Sequence, residues 1–256
     1  MSTGRVRRSS AASRLGAHRV HGGAPVFIEI MGPAAVGKST LVRELRARDD
    51  AVSAGIGLSK LAYVVATTRR LGAFLAVWLR LRPRDRWLDR REMRSVARLE
   101  TWSRAIARTR TGSAGVVVFD HGPWYRLARL RAFGPALTKS EPFVRWWQES
   151  LARWSQHLDI VVMLDAADDV LLQRVEHRGH WFLGRDIPPA DKVRFLASYR
   201  RAFDEVVADV AAADADGPTI VRLRADEMSA GALATEVFAT VEARRAGPHP
   251  IRGAAS

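Results

Sequence analysis

Short, unbroken apolar runs recur along the chain and alternate with longer segments in which apolar side chains return every three or four positions. The short runs are typical of buried strands, and the longer segments are typical of helices that bury one face. Strands and helices in alternation predict an α/β fold of three layers, a parallel sheet with helices on both of its faces. The predicted strands are 26–31, 115–120, 160–165 and 219–223, with a weaker strand or loop in 51–58, which makes about five strands.

The helical segments lie between these strands. Two long ones follow the first helix and are separated at Pro83, which cannot continue a helix. A segment rich in Arg, His and Gly, 176–187, then breaks the helical pattern, and Pro188 opens the next helix. The predicted helices are about 38–48, 59–81, 85–110, 123–133, 141–156, a short one around 170–175, 189–213 and 229–245.

The junction between the first strand and the first helix carries the pattern G-x-x-x-x-G-K-[ST] at every fixed position. In such a loop the backbone N–H groups point at a polyphosphate, and the following helix adds the positive end of its dipole. Lys38 would reach the β- and γ-phosphates, and the Ser39 hydroxyl would ligate magnesium, so we predict ATP and Mg²⁺ as cofactors. The predicted nucleotide-binding residues are Gly32, Pro33, Ala34, Ala35, Val36, Gly37, Lys38, Ser39 and Thr40.

Asp120 ends an apolar run, at the carboxyl edge of the predicted sheet where ligands gather. A carboxylate there can hold magnesium together with Ser39, or accept a proton from an attacking hydroxyl; the alternative is a turn or helix-capping acid. The Asp-x-x-Gly pattern of a switch GTPase does not follow Asp120. An aromatic side chain after Asp120 could stack on a planar substrate or belong to the core. The side chains that we place beside an acceptor pocket are His121, Trp124, Tyr125, Arg126 and Arg129.

The chain has 256 residues and no cysteine, which excludes a disulfide framework and a cysteine-based metal site. This length suits one α/β domain, 25–246, with disordered tails at 1–24 and 247–256. The first tail is basic and has no apolar core of a signal peptide. The longest apolar run, 71–79, is too short to cross a bilayer. We therefore expect a cytoplasmic protein that does not enter a membrane.

The formal net charge is +14, and the positive charge is concentrated. Residues 60–133 hold 17 basic and 5 acidic side chains, and the first 25 residues add five arginines. Arginine outnumbers lysine 37 to 4, as a GC-rich genome alone would produce, but that bias does not explain the clustering. A basic helical segment suits an anionic acceptor or a polyanion such as nucleic acid. A solvated helix face is the alternative.

The order of these features resembles the thymidylate kinases and their nucleoside and nucleotide kinase relatives, and the resemblance covers about 26–245. The shared order is a phosphate loop, a basic helical insert at 59–112, an apolar strand ending in Asp120, a second one ending in Asp165, and an arginine-rich segment. The resemblance implies the P-loop NTPase fold, ATP with Mg²⁺, a mobile lid at 176–188, and transfer of the γ-phosphoryl group to a small acceptor.

Carried over residue by residue, the resemblance assigns catalytic roles in the phosphate loop, at the strand end and in the lid. Lid arginines would stabilise the charge on the phosphoryl group in transit; the alternative is surface arginines paired with nearby acids. The chain departs from the family pattern at Met31, where an acid usually stands, and at His121, where an arginine usually grips the acceptor phosphate. The implied catalytic residues are Lys38, Asp120, Arg174 and Arg178, with Arg185 as a further lid arginine and Ser39 and Asp120 as the metal ligands.

The expected function is that of a thymidylate kinase-like, ATP-dependent phosphotransferase that acts on a small anionic or nucleoside-like acceptor. The alternative is a P-loop ATPase with a nucleic-acid-binding or regulatory role, which the basic insert and tail favour and the small size opposes. The sequence leaves the identity of the acceptor open, and it is compatible with a homodimer.

Overall fold

The structure is a computed structural model that describes residues 24–57, 60–81, 86–109, 115–178, 188–213 and 217–247. The two predicted tails lie almost entirely outside these ranges, and so does 179–187, which is most of the predicted lid. Within the described ranges, no helix combines the length and the apolar character that a bilayer crossing requires.

Five parallel strands form one sheet in the order β2-β3-β1-β4-β5. In the register of β1 and β3, Ile30 pairs with Asp120, so the end of β3 lies beside the start of the loop that follows β1. This arrangement confirms the predicted parallel sheet and puts Asp120 next to the phosphate loop. The strands are β1 Val26–Met31, β2 Val52–Ala54, β3 Val116–Asp120, β4 Ile160–Asp165 and β5 Thr219–Arg224.

Helices cover both faces of the sheet, as predicted. Because side chains of a strand alternate between faces, Phe27 and Phe119 pack against the helices on one side, while Ile28 and Val118 pack against those on the other. The first side is covered by α2, α3, α4, α5 and most of α7, and the second by α1, α6 and α8. The helices are α1 Lys38–Arg48, α2 Lys60–Leu81, α3 Arg90–Thr109, α4 Pro123–Phe133, α5 Glu141–His157, α6 Asp168–Arg178, α7 Pro189–Ala213 and α8 Ala230–Ala246.

The start of α3 at Arg90 corrects the prediction of a helix from residue 85. The Asp89 carboxylate accepts the backbone N–H of Glu92 at 2.8 Å, and the Glu92 carboxylate accepts the backbone N–H of Asp89 at 2.7 Å. This reciprocal pair is a capping box, which fixes the first residue of a helix. Arg86 forms an ion pair with Glu92 and holds the preceding segment outside the helix.

The helical insert, α2 and α3, is joined to the sheet mainly through α3. This helix buries Val96, Leu99 and Ile106 in the core, and the ring of Trp102 lies 5.2 Å from that of Phe119 on β3. On its polar side, Ser95 of α3 contacts Arg126 of α4, the helix that follows β3. On the other side of the sheet, α6 continues to Arg178, which is further than the break expected from 176.

Candidate active site

The loop between β1 and α1 depends on two glycines with positive φ. Gly32 has a φ of +148°, and a Cβ on it would lie 2.3 Å from the carbonyl oxygen of Leu164 on β4. Gly37 has a φ of 110° and precedes the first residue of α1. Ala35 adopts a positive φ of 63° between them. These turns wrap the loop around the N-terminus of α1, where the helix dipole favours a bound anion.

Lys38 extends back along this loop. Its Nζ donates hydrogen bonds to the carbonyl oxygens of Gly32 at 2.9 Å and Pro33 at 2.8 Å. The ring of Tyr125, on α4, lies 5.8 Å from Nζ and closes the other side. The ammonium group is thus held between the carbonyl oxygens of the loop and the ring of Tyr125.

Ser39 and Asp120 meet at the carboxyl edge of the sheet. The Ser39 hydroxyl donates a hydrogen bond of 2.7 Å to Oδ2 of Asp120, and Oδ1 of Asp120 lies 3.0 Å from Nδ1 of His121. His121 reaches this position with a φ of 57°. The structure therefore brings together the loop hydroxyl and the strand-end acid, which are 81 residues apart in the sequence.

The Asp120 carboxylate is ionised at neutral pH. Burial by itself would raise the pKa of Asp120, but hydrogen bonds from His121 and Ser39, together with the charges of His121 and Lys38, outweigh it and hold the pKa below its ordinary value. An ionised carboxylate beside a hydroxyl is a donor set that suits a hard divalent cation.

A magnesium ion fits this pair. Ser39 and Asp120 offer two oxygen ligands on one side, and nucleotide oxygens and water would complete a coordination shell of the kind that Mg²⁺ prefers. Among the described residues there is no cluster of three or more His, Asp or Glu side chains that could enclose a metal ion.

Glu29, in the middle of β1, is a site residue that the sequence analysis missed. Its side chain is fully buried, and its two oxygens accept the backbone N–H groups of Trp124 at 2.9 Å and Tyr125 at 2.8 Å, at the start of α4. It thereby fixes the helix that carries Tyr125 next to Lys38. An acid inside an otherwise apolar strand was the signal that could have revealed it, since a buried charge requires partners.

Burial raises the pKa of Glu29 to about 7, against the opposing effect of the Tyr125 and Trp124 N–H groups and the charge of Arg126. The carboxyl group is thus divided between its neutral and ionised forms near neutral pH.

Arg174 lies against the phosphate loop from the side of α6. Its guanidinium donates to the carbonyl oxygens of Val36 at 3.5 Å and Ala225 at 3.2 Å, so it joins the loop to the segment that follows β5. Arg178 is the last residue of α6, but its side chain lies outside the described residues, as does the whole of Arg185. The catalytic role of the three arginines stays a prediction.

Two further side chains in this region support the fold. Trp124 is completely buried and belongs to the core, so Tyr125 is the aromatic residue of α4 that faces the loop. Asp165, at the end of β4, forms an ion pair of 3.0 Å with Arg200 and accepts the backbone N–H of Ala166 at 2.8 Å. Both of its oxygens are engaged in holding α7 and the strand end together, which is a structural role.

The sheet order, the glycine loop and the strand-end acid together define the P-loop NTPase fold. Thymidylate kinase from Candida albicans shares this fold: the TM-score is 0.52 at 16% sequence identity, over 87% of this chain and 93% of that one. The solved structures that resemble the chain also include deoxyadenosine kinase from M. mycoides, with a TM-score of 0.49, 12% identity and coverage of 85% of this chain and 100% of that one. A third is the YorR protein from Bacillus subtilis, with a TM-score of 0.47, 15% identity and coverage of 88% and 100%.

No protein-family model matches the sequence, and no curated protein matches it either. At 16% identity, the likeness to the thymidylate kinase from Candida albicans establishes the fold, which is the predicted one.

Proposed function

We propose that the protein is an ATP-dependent kinase that transfers the γ-phosphoryl group of magnesium-bound ATP to a small acceptor. The observation that carries this proposal is the 2.7 Å contact between Ser39 of the loop and Asp120 of β3, with Lys38 on the same rim. A phosphate loop alone occurs in many ATPases and GTPases, whereas this rim also borders α4, which packs against α3 of the helical insert, where an acceptor could lie.

In the reaction, an acceptor oxygen attacks the γ-phosphorus, and the bond from that phosphorus to the β–γ bridging oxygen breaks, leaving its electron pair on ADP. If the attacking group is a hydroxyl, it gives up its proton, which the ionised Asp120 carboxylate can accept. Lys38 stabilises the negative charge on the terminal phosphate oxygens. Magnesium, held by Ser39 and Asp120, would neutralise charge on the β- and γ-phosphates.

The test is ATP consumption with and without a broad panel of small hydroxyl- and phosphate-bearing acceptors. We expect slow consumption alone and a marked rise with one class of acceptor. Lys38→Ala should reduce the stimulated kcat/KM by roughly a hundredfold or more, because one preorganised cationic donor is lost. Lys139→Ala is the matched control, since Lys139 contacts the carbonyl of Arg131 far from the loop.

Two outcomes would contradict the proposal. Full activity of Lys38→Ala would show that the loop is not the catalytic nucleotide site. Stimulation by DNA or RNA, together with no response to any small molecule in the panel, would favour the alternative of a nucleic-acid-dependent ATPase.

A further inference from the structure

Three arginine side chains gather where α3 meets α4, next to the site described above. Arg126 is buried, with 9% of its surface exposed, while Arg129 is half-buried and Arg98 is exposed. The guanidinium carbons of Arg126 and Arg98 lie 5.2 and 5.8 Å from the ring centroid of Trp102. We call these three side chains the arginine cluster; Arg126 forms its buried end and Arg98 its exposed end.

The charge of the arginine cluster is balanced only in part by nearby acids. In the part of the chain that the structure describes, none of the three guanidinium groups forms an ion pair with a carboxylate, although Arg131 of α4 and Arg70 of the neighbouring α2 do. Glu29 is the acid whose charge acts on Arg126, yet both of its oxygens are taken by the backbone N–H groups at the start of α4.

The hydrogen bonding of Arg126 is also incomplete. Its Nε is buried without a partner, and its contact with the Ser95 hydroxyl is long, at 3.4 Å. Burial and the nearby charge of Arg98 lower the pKa of Arg126 to about 10, against the opposing charges of Glu29 and Tyr125. A buried cation with unfilled donors and like-charged neighbours is costly by itself, and an anion bound at the same place would offset that cost.

The arginine cluster lies close to the phosphate loop. The charges of Arg129 and Arg126 act on Tyr125, and the ring of Tyr125 lies 5.8 Å from Nζ of Lys38. Tyr125 therefore stands between the arginine cluster and the phosphate loop.

We propose that Arg98, Arg126 and Arg129 bind a phosphate group of the acceptor, so that the substrate of the proposed kinase is a phosphate monoester. This inference rests on the proposed function. Guanidinium groups bind phosphate through paired, charge-assisted hydrogen bonds, and a dianion meets the demand of several cations better than a neutral acceptor does. The exposed Arg98 makes the first contact with the ligand, and the buried Arg126 binds it at the inner end of the cluster.

The experiment measures binding by isothermal titration calorimetry. The probes are inorganic phosphate, thymidine 5′-monophosphate, AMP and glucose 6-phosphate, each monoester compared with its phosphate-free parent. Because phosphate can also enter the loop, the loop is either saturated with magnesium and the non-hydrolysable analogue AMP-PNP or weakened by Lys38→Ala. We expect phosphate and at least one monoester to bind in both backgrounds, and the parent compound to bind at least about tenfold more weakly.

The variants assign this binding to the cluster. Arg126→Gln should weaken it about tenfold or more, since a buried charge-assisted bond is lost, and the exposed Arg98→Gln about two- to fivefold. Arg131→Gln is the matched control on α4, because Arg131 is exposed and pairs with Asp209 instead; binding should not change. If circular dichroism shows that Arg126→Gln does not fold, Arg98→Gln decides the question.

The proposal is overturned if no phosphate ligand binds, if the parent compounds bind as well, or if the folded cluster variants bind like the unchanged protein. Its failure is distinguishable from that of the proposed function. Arginine-dependent phosphate binding without acceptor-stimulated ATP consumption would leave the anion site standing and refute the kinase. Stimulation of ATP consumption by an acceptor that carries no anionic group would support the kinase and refute the phosphate site.

Discussion

Glu29 should make the protein less stable as the pH rises from about 4.5 to about 7. Its pKa lies at 4.5 for an ordinary exposed carboxyl group and at about 7 in the folded protein, mainly because of burial. The folded state therefore binds the proton more tightly than the unfolded state. This contribution to stability is complete below the ordinary pKa and is lost as the pH passes the folded one. At about 1.4 kcal/mol per pH unit, the loss is on the order of 3 kcal/mol.

The assay compares urea unfolding of the unchanged protein and of Glu29→Gln at several pH values between 4.5 and 8. Gln presents an NH₂ group to one of the two N–H groups of α4, which lowers stability by an amount that does not depend on pH. The unchanged protein should be the more stable at low pH, and its advantage should shrink by roughly 3 kcal/mol toward pH 8.

Two results would refute this reasoning. A difference that stays constant with pH would mean that burial does not dominate the titration of Glu29. A difference that grows with pH would mean that the N–H groups of Trp124 and Tyr125 and the charge of Arg126 hold the carboxylate in its ionised form. In that case these interactions outweigh burial, and the pKa of Glu29 is lowered rather than raised.

Two further predictions concern the loop and the strand end. Asp120→Asn should lower kcat by roughly a hundredfold with a modest change in ATP affinity, because the carboxylate acts during transfer. Steady-state kinetics would measure this effect, with Asp209→Asn as the control. An unchanged kcat would show that Asp120 takes no part in the mechanism. Gly32→Ala should abolish binding of a fluorescent ATP analogue, because its Cβ would lie 2.3 Å from the Leu164 carbonyl at a φ of +148°. Gly57→Ala, where a Cβ meets open space, should bind normally; equal binding by both variants would show that the loop tolerates the displacement.

The sequence was sufficient to predict the sheet, the loop and the meeting of Ser39 with Asp120. Each depends on a local signal. Unbroken apolar runs indicate parallel strands, whose carboxyl ends share one edge, and the glycine pattern places the loop at that edge. The adjacency of residues 81 positions apart then follows from topology rather than from any long-range signal.

What the sequence analysis missed depends on contacts between distant segments. An acid inside an apolar strand marks Glu29 in the sequence, but the backbone N–H groups that stabilise it, 95 and 96 residues away, have no signature there. The start of α3 was different, since the capping-box residues Asp89 and Glu92 are only three positions apart in the chain and could have been recognised. The partners of Glu29 could therefore not be identified from the sequence, whereas the start of α3 could.

The positive charge of the insert shows why counting residues could not locate a binding surface. Among the arginines of this region, Arg70, Arg86 and Arg131 form ion pairs with acids, and so they add little attraction for a ligand. Arg98 and Arg126 instead face one aromatic ring without such a partner in the described part of the chain. Fields from unpaired charges focus most strongly where protein excludes water, which is the case for the buried Arg126 and not for a solvated helix face. The attraction for an anion is therefore concentrated beside the phosphate loop, and it suits a small ligand better than an extended polyanion.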